Sequence, residues 1–347
     1  MGEEALELSS NNLKFLDEVI KTEIEKPAPK WTTPSKVIYD LHTFTLRDFS
    51  NQEPNDEIPV IILPPYAGHT SVIVDFNTNQ SLVESLIKNG INRVLVVDWK
   101  SATEEMKDYD VDNYLAELHI AICDIGGRVH LIGICQGGWF ASIYAARFPA
   151  CIASIVLAGA PIDTQAGNGQ IKKMVKKIPF IFYELLVKSG GGLLKGSYML
   201  NGFKNMHPQE QYIDKYIDLY KHINDEEYVK RTERFSSWYE STINLPGRWY
   251  LQVIKELFKE NKFVKGEFIA LGKKVNPKTI TCPLYLIAGE EDDITPQDQV
   301  FNAQKYFGTP ADLIKKDLAK GGHIGLFMGI HALADNWLRI AKWIKNI

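Results

Sequence analysis

A chain of 347 residues can hold one large α/β domain with about a hundred residues to spare for an insertion. Its 45% hydrophobic and 24% charged residues are ordinary for a globular protein, and a formal net charge of −4 excludes a global basic field for nucleic acid or an anionic membrane. No stretch reaches the roughly 18–20 apolar residues of a membrane span. The acidic start, MGEEALELSS, lacks the pattern of a signal peptide. The cysteines, Cys123, Cys135, Cys151 and Cys282, show neither close pairing nor metal-ligand spacing. The expectation is a cytoplasmic protein with free thiols and no metal.

Residues 1–35 read as an N-terminal helical extension followed by a polar linker, EKPAPKWTTP. Short apolar strands then alternate with amphipathic helices. The expected strands are 58–64, 93–99, 128–134 and 152–159, with helices at 80–89, 111–125 and 135–148. This rhythm predicts a mostly parallel sheet covered on both faces, over 36–164. From 165 to 275 the sequence turns helical, aromatic and glycine-interrupted, the pattern of an inserted lid over the strand ends. Within it Lys172, Lys173, Lys176 and Lys177 read as a solvated helix face. Strand signals return at 283–289 and 312–316, a closing helix follows at 331–345, and 276–347 completes the core.

The chemistry centres on Gly133-Ile134-Cys135-Gln136-Gly137, between an expected strand and an expected helix. A nucleophile in that context stands on a sharp turn that glycines make room for, the arrangement of the α/β-hydrolase fold. Cysteine in place of serine supplies a more nucleophilic atom, and the N–H of Gln136 would face the oxyanion. In this fold the order along the chain is nucleophile, acid, histidine. Asp292, three residues beyond Gly289 at a strand's carboxyl end, is the expected orienting acid, with Asp293 as the alternative near the pocket. His323, between Gly322 and Ile324-Gly325, is the expected base. The Tyr66 N–H, after Pro64-Pro65, is the expected second oxyanion donor; the loop 66–69 is expected to line the pocket, with His69 either a structural hydrogen-bonder or a catalytic group. Trp139 is a further candidate for the pocket wall.

GICQGGWFASIYAARFP, AGAPIDT, KGEFIALGKKVNPKTITCPLYLIAGEEDDITP and GGHIGLFMG together resemble the superfamily of polyhydroxyalkanoate synthases and intracellular polyhydroxyalkanoate depolymerases, from about 58 to 330. The resemblance implies an α/β hydrolase with a Cys–Asp–His triad, carried onto Cys135, Asp292 and His323. The GICQGG box and the glycine pair before His323 are synthase-like. The AGH loop at 67–69, AGAPIDT and GEEDDI are depolymerase-like. Two departures stand out: no proline follows Gln136, and Asp293 occupies the place of the histidine usual in synthases.

The favoured expectation is a depolymerase or esterase of (R)-3-hydroxyalkanoate esters. The alternatives are a synthase-like acyltransferase using 3-hydroxyacyl-CoA, and a non-catalytic granule- or partner-binding module. No cofactor is implied; coenzyme A enters as part of a thioester substrate on the synthase reading. The implied partners are an apolar 3-hydroxyacyl ester or thioester, a polymer granule surface and a second copy in a homodimer.

Overall fold

The computed structural model describes residues 2–25, 27–50 and 57–347. Met1 and Lys26 of the expected N-terminal extension and linker lie outside the described residues. The centre is an eight-stranded sheet: β1 Lys36–Asp40, β2 Phe44–Asp48, β3 Val60–Leu63, β4 Val94–Trp99, β5 Val129–Ile134, β6 Ile152–Ala158, β7 Leu284–Gly289 and β8 Ile314–Ala319. Their spatial order is β1-β2-β4-β3-β5-β6-β7-β8. The first two strands run antiparallel and the other six are parallel.

The parallel strands read as continuous apolar runs because both faces are covered. Ile61 and Leu131 enter one apolar cluster, while their chain neighbours Ile62 and Ile132 enter the other. On the first face lie α3 (Val111–Asp124) and α4 (Gln136–Arg147), and on the second α2 (Leu82–Lys88). The antiparallel pair β1–β2 is absent from the expected strands. Its segments, KVIYD and FTLRD, mix polar with apolar residues and carry a weaker apolar signal than the buried strands.

Between β6 and β7 stand six helices of the expected lid: α5 Gln170–Lys177, α6 Phe180–Ser189, α7 Gly196–Lys204, α8 Lys215–Lys221, α9 Glu226–Glu240 and α10 Gly247–Gln252. A helical turn at Val253–Lys259 ends the run. Beyond it, Phe268 packs edge-on against Trp139 of α4, and Arg147 donates to the Ala270 carbonyl at 3.2 Å. The stretch up to 275 therefore belongs to the base of the core as much as to the lid.

The N-terminal helix α1 (Gly2–Val19) and its continuation Ile20–Glu25 lie on the lid rather than on the sheet. Phe15 meets Tyr220 edge to face at 5.5 Å, Lys21 pairs with Glu233 at 3.3 Å, and Lys215 pairs with Glu23 at 2.5 Å. The linker is pinned to the core where Thr32 and Thr33 donate backbone N–H groups to Asp75 Oδ2, at 2.8 and 2.7 Å. Among the described residues, no helix is long and apolar enough to cross a membrane.

Candidate active site

β5 ends at Ile134 and α4 begins at Gln136, so the whole turn is one residue, Cys135. Its φ of 50° and ψ of −127° are rare for a residue with a side chain and mark stored strain. The turn is held from both sides. Cys135 N–H donates to the Ala158 carbonyl at 2.8 Å, and Gly138 N–H donates to the Cys135 carbonyl at 2.9 Å. Two glycines of the motif are steric necessities: a Cβ on Gly133 would stand 2.4 Å from Gly138 Cα, and one on Gly137 would stand 2.1 Å from the Leu63 carbonyl oxygen.

Parallel pairing brings the other two groups to the same sheet edge. Gly289 of β7 pairs with Ala319 of β8, and the loops beyond them are tied by Glu290 N–H to Ala319 O at 2.9 Å and Glu291 N–H to Gly321 O at 3.1 Å. Asp292 is buried, and its Oδ2 lies 2.7 Å from His323 Nδ1. Its Oδ1 accepts the N–H groups of Ile294 and Thr295 at 3.0 and 2.8 Å. With Nδ1 donating to the carboxylate, the other ring nitrogen is left for Cys135, which lines the same cavity wall. Burial opposes charge on this ring, but the Asp292 carboxylate and the Cys135 sulfur outweigh it and hold His323 well above the ordinary histidine value. The structure thus gathers Cys135, His323 and Asp292 at one site.

Asp293 faces the other way. Its Oδ2 lies 3.1 Å from Nε2 of His207, a residue just beyond α7 in the lid, so adjacent acids serve the site and the lid. Asp293 itself is half exposed and does not line the cavity, whereas His207 does. Nothing in the sequence around His207 announced this contact.

The expected oxyanion donors differ in state. The Gln136 N–H belongs to the first turn of α4, where amides lack intrahelical acceptors. The Tyr66 N–H is not free, as the sequence had implied; it donates to Gln136 Oε1 at 3.1 Å. The glutamine side chain reaches back to the loop after β3 and pins it. Its own Nε2 is buried without a protein partner. Trp139 corrects a second expectation. It is fully buried against Phe268 in the core beneath α4 and takes no part in the cavity wall, because one helical turn carries its side chain away from the strand ends.

Cys135 and His323 lie in the wall of a cavity of about 870 Å³, shared with Tyr66 and His69 and roofed by the lid. The roof is mainly apolar, with Met174 and Phe182 on one side and Phe203, Trp238 and Tyr239 on the other, but Lys173, Lys177 and His207 also line it. The lid is stitched to the loop after β3. Trp238 Nε1 donates to the Thr70 carbonyl at 3.1 Å, Ile243 N–H donates to the Gly68 carbonyl at 2.9 Å, and His69 Nε2 lies 3.0 Å from the Tyr239 carbonyl oxygen. Three hydrogen bonds thus join loop and lid.

Comparison with known proteins agrees with this architecture. The chain is 25% identical over 324 residues to the poly(3-hydroxyalkanoate) polymerase subunit PhaC of Haloferax mediterranei, covering 90% of this chain and 64% of that protein. It is 25% identical over 323 residues to the subunit of the same name from Allochromatium vinosum, covering 90% and 89%. Among solved structures, a putative lipase from Acinetobacter baumannii AYE superposes with a TM-score of 0.54 at 14% identity, covering 97% of each chain. A monoacylglycerol lipase from Paleococcus ferrophilus superposes with a TM-score of 0.54 at 15% identity, covering 87% and 98%. At such identities the structural likeness shows the fold, which is that of an α/β hydrolase. These likenesses support the polyhydroxyalkanoate synthase and α/β-hydrolase superfamily that the motifs resembled. The family model described as "Protein of unknown function (DUF3141)" matches residues 10–318, and the chain belongs to that family.

Proposed function

We propose that the protein is a cysteine-dependent acyltransferase that takes a 3-hydroxyacyl group from a coenzyme A thioester and passes it to a hydroxyl at the end of a growing ester chain. The observation that carries this reading is Cys135 beside the His323–Asp292 pair in the wall of a largely apolar cavity. The Cys135 thiolate attacks the thioester carbonyl, and the carbon–sulfur bond to coenzyme A breaks. The imidazolium of His323 gives its proton to the departing thiolate. In the second half, His323 takes the proton of the incoming hydroxyl. Its oxygen attacks the acyl–Cys135 carbonyl and the cysteine sulfur leaves. Asp292 holds the ring in the tautomer and orientation both halves need. The Gln136 N–H would carry the oxyanion, joined by Tyr66 N–H when the Gln136 side chain releases it.

Two features favour transfer over the hydrolysis preferred from the sequence. The relatives described above are named polymerases, and mainly apolar walls disfavour water, the competing acceptor. The test is incubation with 3-hydroxybutyryl-CoA, following free thiol, free acid and polymer together. Transfer predicts coenzyme A release with growing oligomer and little free 3-hydroxybutyrate. Acid released in step with coenzyme A would make the protein a hydrolase, and no release of either would overturn both readings.

A further inference from the structure

His69 is a buried polar group of the cavity wall, and the transfer mechanism leaves it unused. The Tyr239 carbonyl can only accept a hydrogen bond, so the ring nitrogen 3.0 Å from it, Nε2, carries the hydrogen. The ring lies flat against Tyr239, with 14° between planes and centroids 5.2 Å apart, and is flanked by Trp238 at 4.9 Å and Phe203 at 5.8 Å. Burial among these rings pushes the His69 pKa down to about 4, with the Tyr239 carbonyl acting the other way. The imidazole is therefore neutral near pH 7, with Nδ1 a bare lone pair. No hydrogen bond to Nδ1 is made by any of the described residues. So weak a base does not abstract a proton at neutral pH. It remains a good acceptor in the wall of the cavity, open to a donor that enters there. The loop sets its position: His69 stands three residues from Tyr66, whose N–H is bound by the residue next to Cys135.

We infer that His69 Nδ1 accepts a hydrogen bond from a hydroxyl on the acyl chain held at Cys135, so that the cavity selects hydroxyacyl over plain acyl groups. The inference deepens the transfer reading and rests on it for the kind of substrate. A site built to bond a substrate hydroxyl discriminates against the analogue lacking it, because the acceptor is then left unpaired.

The test reads binding rather than turnover, so it stands apart from the outcome of the transfer assay. In the full-length Cys135→Ala chain, calorimetry compares 3-hydroxybutyryl-CoA with butyryl-CoA. The hydroxy compound is expected to bind about tenfold more tightly, and adding His69→Phe, which keeps the aromatic stack, should bring the ratio close to one. Because that change also strips the Tyr239 carbonyl of its donor, His69→Gln serves as the second variant. Its amide can bond that carbonyl and still offer an oxygen, so it should restore part of the preference. Equal binding of the two thioesters by the Cys135→Ala chain, binding of neither, or a preference that survives His69→Phe would overturn the inference.

Discussion

Asp292 and Asp293 are neighbours in the chain, yet one orients His323 and the other holds the lid. The buried carboxylate helps keep His323 charged, so Asp292→Asn should lower the His323 pKa and leave the ring poorly held. We expect coenzyme A release from 3-hydroxybutyryl-CoA to fall roughly a thousandfold or more. The alkaline limb of the pH–rate profile should move to lower pH, since that limb reports the loss of the imidazolium proton. Stability follows the same sign. The gain from a raised histidine is complete below its unfolded value near 6.5 and fades as pH rises through the folded value, so the denaturant midpoints of wild type and variant should converge on the alkaline side. A profile that keeps its alkaline limb in place would contradict the assignment. At this scale much was legible. Cys135 and His323 stand out because glycines around them leave room for tight turns, a requirement written in the sequence itself. The capture of Tyr66 N–H by Gln136 was not, because it depends on which way one flexible side chain folds. Nor was the direction of Trp139, which packing beneath α4 decides.

Among the elements, the parallel strands were readable from their unbroken apolar runs, and the lid from the loss of that rhythm after β6. The strands β1 and β2 were missed because part of their surface is open and their residues are mixed. The docking of α1 on the lid was also beyond the sequence. It rests on long-range pairs such as Lys21 with Glu233, over two hundred residues apart, which no local pattern specifies. The lid itself is joined to the β7 loop by His207 and Asp293. An exposed pair of this kind contributes at most about 1 kcal/mol, so Asp293→Ala should loosen the lid without unfolding it. The expected outcome is alkylation of Cys135 by iodoacetamide accelerated up to about fivefold, with the melting temperature nearly unchanged. An unchanged alkylation rate would mean that this contact does not govern access to the sulfur.

For the whole molecule, the sheet and the insertion act together. Parallel pairing brings the carboxyl ends of β5, β7 and β8 to one side of the sheet, and the insertion between β6 and β7 closes over it. Strand alternation implied that topology because parallel strands need crossovers, and crossovers in such sheets place sites at the carboxyl edge. What the lid admits is a property of packed side chains from six helices, so the second nucleophile stayed unread in the sequence. Both proposed versions of the chemistry, transfer and hydrolysis, pass first through an acyl group on one sulfur. The direct measurement is peptide mass spectrometry after brief exposure to 3-hydroxybutyryl-CoA and acid quenching. The account predicts a hydroxybutyryl group, or a short oligomer of it, on the peptide containing Cys135, and no such adduct in Cys135→Ala. An unmodified Cys135 peptide during active coenzyme A release, or release undiminished in Cys135→Ala, would contradict it.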